Sequence, residues 1–85
     1  MVKKERIVEL TGNLLGSANS RGTEQGVFVL RKMLLLLDEA GSDIEVLEIL
    51  SNLNRSLAGI EAHGYLTGVE FNWVKELRSI EEERI

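Results

Sequence analysis

Apolar residues recur along this chain at helical spacing, and they are densest between Val27 and Leu37, V-F-V-L-R-K-M-L-L-L-L, where only Arg31 and Lys32 interrupt. At about 100° per residue, Val29, Leu30, Met33, Leu36, Leu37 and Ala40 share one side of a helix. Glu24, Gln25, Arg31, Lys32, Asp38 and Glu39 share the other, together with Phe28 and Leu35. This stretch is predicted to be the helix around which the others pack. Two large apolar residues on its polar side require a second covering: from the N-terminal helix, or from another molecule.

Three further segments show the same period. Residues Lys3 to Ser17 gather Ile7, Leu10, Thr11, Leu14, Leu15 and Ala18 on one face, with Gly12 and Gly16 beside it. The two glycines weaken the helix by about 1 kcal/mol each relative to alanine, so this segment is expected to firm up on packing. Ala18 to Gly22 reads as a loop, with Ser20 or Thr23 capping the next helix. Gly41 is expected in the left-handed conformation that closes that helix, and Ser42-Asp43-Ile44-Glu45 forms a capping box that opens the following one. From about Asp43 to His63, Val46, Ile49, Leu50, Leu53, Leu57 and Ile60 point inward; Glu45, Glu48, Asn52, Arg55, Ser56 and Gly59 point out. His63 and Gly64 end it, the histidine as a cap and not as a metal ligand. A second box, Thr67 with Glu70, and a staple of Leu66 on Phe71 start the last helix. Val69, Trp73, Val74, Leu77 and Ile80 form its buried face, and residues 81–85 fray into solvent.

Proline is absent and strand-like alternation is missing, so the expected fold is all-α: a four-helix up-down antiparallel bundle, one domain over residues 1–85. At 85 residues only about 60 to 65% of the unfolded surface can be buried, which makes stability modest. No cysteine is available for a disulfide or thiolate site. The longest apolar run, Met33 to Leu37, falls far short of the roughly 20 residues of a membrane span. The start, M-V-K-K-E-R-I-V-E-L, lacks the continuous apolar stretch of a signal peptide, and a cytoplasmic location is expected.

The net charge of −4 argues against nucleic-acid binding, which needs a basic surface. Asp38, Glu39, Asp43, Glu45 and Glu48 fall within eleven residues around the second connection. Asp38 and Glu39 stand at a helix C-terminus, where negative charge costs about 0.3 to 1 kcal/mol each. Fold stability would not select them, so the corner reads as a landing site for a basic protein, against the simpler alternative of a solvated corner that keeps the domain soluble. No phosphate-binding loop, dinucleotide fingerprint, metalloprotease motif, calcium loop or cysteine–histidine cluster is present. With one histidine and outward-facing carboxylates, neither catalysis nor a metal or cofactor is expected.

Leu53 to Ile80 contains I-E-A-H-G-Y-L, then T-x-x-E and an aromatic-bearing helix. This third of the chain resembles the C-terminal half of small bacterial immunity proteins, which are encoded beside toxins of interbacterial competition. The resemblance implies a protein that occludes a cognate toxin, in many such systems a basic nuclease. It carries over no site residues, because such proteins use individually varied surfaces. On this reading Asp38, Glu39, Asp43, Glu45 and Glu48 steer the partner, and Phe28 and Leu35 are candidate apolar anchors. The alternatives are a self-assembly or phage-type accessory module working as a homo-oligomer, for which a homodimer is the simplest form, and a nucleic-acid mimic.

Overall fold

The computed structural model describes residues 3–22, 24–62, 64 and 66–83. Four helices follow one another: α1 Lys4–Arg21, α2 Glu24–Glu39, α3 Asp43–Ala62 and α4 Gly68–Glu83. Side-chain bonds fix their directions. Lys4 at the start of α1 reaches Ala40 just past the end of α2, while Arg6 meets Glu76 and Arg21 meets Glu70, so α1 runs antiparallel to both α2 and α4. Asn54 bonds Glu81 and Glu61 pairs with Arg78, which makes α3 and α4 antiparallel as well. The all-α antiparallel bundle expected from the periodicity is the fold.

The apolar-dense α2, however, is not the central helix: α1 and α3 each pack against the other three helices, α1 most extensively. Ile7, Leu10, Thr11, Leu14 and Ala18 are all buried, and α1 packs against each of the other three helices. By contrast α2 packs on α1 and α3 only: no Cα of α2 comes within 8 Å of one in α4 among the described residues. The core combines the α1 residues with Leu30, Met33 and Leu37 from α2, Val46, Leu50, Leu53 and Leu57 from α3, and Val74, Leu77 and Ile80 from α4. Each buried leucine, isoleucine, valine or methionine among them stabilises the fold by about 1.5–3 kcal/mol relative to exposure, before entropy is counted. Thr11 is accommodated because its hydroxyl donates to the Ile7 carbonyl at 2.7 Å.

Several boundaries differ from the sequence reading. The first helix continues through Ala18 to Arg21, and Gly22, at φ 72°, is its left-handed cap, so Ser20 lies inside a helix and caps nothing. Packing of Ala18 into the core outweighs the low propensity of the adjoining Asn19 and Ser20. Gly41 does not have a positive φ; the left-handed glycines are Gly22 and Gly64. Near Gly41 the end of α2 is closed instead by Lys4, whose ammonium donates to the Ala40 carbonyl at 3.1 Å and sets a cation against the helix dipole. Val69 is 58% exposed and Leu36 38%, since both sit at the margins of their apolar faces. The C-terminal turn stays helical to Glu83, held by Glu81 to Asn54 and Glu83 to Lys3. Expectations placed on Thr23, His63, Tyr65 and residues 84–85, and on the side chains of residues 24 and 25, lie outside the described residues.

Both boxes at helix starts are present in part or whole. Glu70 N–H donates to Thr67 Oγ1 at 3.3 Å and Thr67 N–H to Glu70 Oε1 at 2.9 Å, a complete reciprocal pair. At Ser42 the Glu45 amide donates to the hydroxyl at 3.2 Å, and the hydroxyl turns toward the Glu45 carboxylate at 3.3 Å. Leu66 packs on the core, while Phe71 remains near the surface beneath Lys75, whose Nζ is 5.8 Å from the ring centroid. No helix is long and apolar enough to cross a membrane among the described residues.

Candidate protein-docking surface

The α2–α3 corner is built by a short connection, residues 40–42, between antiparallel helices. It brings together Asp38 and Glu39 from the end of α2 with Asp43, Glu45 and Glu48 from the start of α3, and all five are exposed. Asp43 and Glu45 suit their position at a helix N-terminus. Asp38 and Glu39 do not, and the last turn of α2 contains no basic residue of its own. Lys4, delivered by α1, is the compensation.

Among the described residues this corner gathers the largest group of carboxylates without an ion pair; Glu5, Glu81 and Glu82 elsewhere also have none. Glu9, Glu61, Glu70, Glu76 and Glu83 each face an arginine or lysine. None of the five corner carboxylates has an ion pair among the described residues. The corner's negative charge therefore projects outward, screened over about 8–10 Å at ordinary salt.

Phe28 and Leu35 lie on the outer face of α2, 71% and 63% exposed. The N-terminal helix closes the bundle from the opposite side of α2 and does not cover them. Arg31 and Lys32, also exposed, lie between them. The candidate residues thus form two adjoining areas, an apolar strip with a basic middle along α2 and an acidic corner at its end.

Two polar features were not anticipated. Glu70 is 1% exposed and accepts from Arg21 at the end of α1, at 2.8 Å and 3.0 Å to its two oxygens. Burial pushes its carboxyl up, but hydrogen bonds from Ser17 and Thr67 and the Arg21 charge outweigh burial and hold it below the ordinary value. Asn54 is also buried; its Nδ2 donates to the Leu77 carbonyl at 3.3 Å and to Glu81 at 2.8 Å, while its Oδ1 has no partner among the described residues. Both groups join helices and neither faces a surface where a ligand could sit.

On the α1–α4 seam Arg6 spans Glu9 and Glu76, the Glu76 pair at 2.8 Å from Nη2. Its hydrogen bonds to Glu76 and then Glu9 raise the guanidinium further above its ordinary value, and the Arg6 hydrogen bond lowers Glu76. No group of three or more potential ligands able to hold a metal ion occurs among the described residues. No family model, curated protein or solved structure matches the chain.

Proposed function

We propose that this domain works by binding and not by catalysis, as an immunity-type inhibitor that docks a basic toxin domain in the cytoplasm through its acidic α2–α3 corner. What supports the reading is one contrast in the charge distribution. Five adjacent carboxylates, Asp38, Glu39, Asp43, Glu45 and Glu48, are exposed and have no ion pair among the described residues, whereas Glu9, Glu70, Glu76 and Glu83 on α1 and α4 are neutralised by their neighbours. Such a corner accelerates encounter with a basic surface and penalises acidic ones. The resemblance of Leu53 to Ile80 to immunity proteins narrows the basic partner to a toxin.

The test is the product of the reading frame beside the gene. Its expression should arrest growth, and co-expression of this chain should restore it. Absence of a toxin there, or of protection, overturns the inhibitor reading. Reversing Glu45 and Glu48 to lysine should slow association about tenfold at low salt and flatten its salt dependence. An association rate that the reversal leaves unchanged at every salt concentration removes the corner from the interface. The uncovered Phe28 and Leu35 favour a second, compatible use of α2: association between copies of the chain.

A further inference from the structure

We infer that the outer face of α2 docks a second copy of this chain, antiparallel, across a twofold axis at Leu35. Phe28 and Leu35 stand two turns apart, about 10.5 Å along the axis, on the line facing away from Leu37. The charges flanking that line are ordered. Arg31 and Asp38 lie seven residues apart on one flank, and Lys32 and Glu39 lie seven apart on the other.

In an antiparallel pair each flank faces the same flank of the other helix. An axis at Leu35 sets Leu35 on its own copy and places Arg31 opposite the partner's Asp38. It also places Lys32 opposite the partner's Glu39, and every pair occurs twice. An axis midway between Phe28 and Leu35 would join those two side chains but would set Arg31 on Arg31 and Lys32 on Lys32. A parallel pair would group the four cations at one level. Of these arrangements only the Leu35 axis joins an apolar contact, Leu35 on Leu35, to opposite charges on both flanks.

None of these four charged residues has an ion pair within its own chain among the described residues, so all are available. Phe28 would then overlie the partner's turn at residues 40–42. The pattern matches itself, as an isologous interface requires, which is why a second copy fits better than an unrelated protein. One 16-residue helix per partner offers less area than a standard interface, so the dimer is weak and salt-sensitive. It takes up Asp38 and Glu39 and leaves Asp43, Glu45 and Glu48 free. It does not rest on the toxin reading, and either can fail alone.

Sedimentation equilibrium of the full chain at low ionic strength tests it. The wild-type mass should rise from one chain to two as concentration approaches about 1 mM, the scale of weak association. Leu35→Ser should lose the rise. Arg31→Glu/Lys32→Glu and Asp38→Lys/Glu39→Lys should each lose it alone, and their equimolar mixture should recover it as a heterodimer. These positions are exposed, so helicity by circular dichroism should not change. A wild-type chain that stays monomeric, a dimer that survives Leu35→Ser, or a mixture that fails to associate overturns the proposal.

Discussion

Arg21 and Glu70 tie the last turn of α1 to the first turn of α4, one guanidinium nitrogen lying 2.8 Å and 3.0 Å from the two carboxylate oxygens. Glu70 also caps its own helix through Thr67, so one buried side chain serves a helix start and a helix-to-helix contact. Glu70→Ala should therefore cost about 2–3 kcal/mol, which combines a lost cap with a lost partly buried ion pair. In thermal unfolding that is a drop of roughly 10–20 °C for a domain of this size. Glu70→Gln, which keeps an acceptor, should cost about 1 kcal/mol. A Glu70→Ala loss below about 0.5 kcal/mol would mean that Arg21 and Thr67 find other partners at no cost.

Acid should unfold the bundle from the same place. Folding holds the Glu70 and Glu76 carboxyls below their ordinary 4.5, Glu70 despite its burial and Glu76 through the Arg6 hydrogen bond. The unfolded chain binds more protons there, so stability from these groups is complete above pH 4.5 and is lost as pH falls through their folded-state values. Melting temperature measured against pH should decline below that point. The Glu70→Gln curve should be flatter, and parallel curves would contradict the assignment.

Gly12 and Gly16 invite stabilisation, because a Cβ built at either meets nothing within 4 Å. Gly12→Ala and Gly16→Ala should each raise stability by about 0.5–1 kcal/mol in urea titrations. Gly22→Ala should act oppositely and cost about 1 kcal/mol, since φ is 72° there. A destabilising Gly16→Ala would point to a neighbour on that face in solution.

Asn54 is buried with Nδ2 bonded to Leu77 and Glu81 but with Oδ1 unpaired among the described residues, so the orphaned acceptor offsets part of what the two bonds contribute. Asn54→Leu keeps the branched shape with bulkier ends and removes the orphaned acceptor together with the Nδ2 bonds. It should leave stability within about 1 kcal/mol of wild type, on the stabilising side. A loss well beyond that in chemical denaturation would mean that the Nδ2 bonds to Leu77 and Glu81 outweigh the relief of Oδ1.

The bundle was legible because its signals are local. Capping residues at Ser42 and Thr67, and the inward runs of α1 and α3, need only neighbours in the chain. Centrality was not legible. The apolar density of α2 exceeds that of α1, yet density does not say which helix the others surround, and part of it remains at the surface as Phe28 and Leu35. Glu70 was visible only as a cap; its pairing joins positions 49 residues apart, beyond any local pattern. One signal was there to use: Glu70, Val74 and Leu77 follow i, i+4, i+7 spacing, which puts the carboxylate in the middle of the buried face. The corner residues are all exposed as their pattern indicates, while their lack of ion pairs among the described residues depends on where α1 carries its cations.

Trp73, the single tryptophan, packs against the core from α4, the helix diagonal to α2. Its fluorescence is thus a built-in reporter of melting that is remote from anything settling on Phe28 or Leu35. Emission that stays constant on complex formation and shifts on denaturation would let one optical signal separate assembly from collapse.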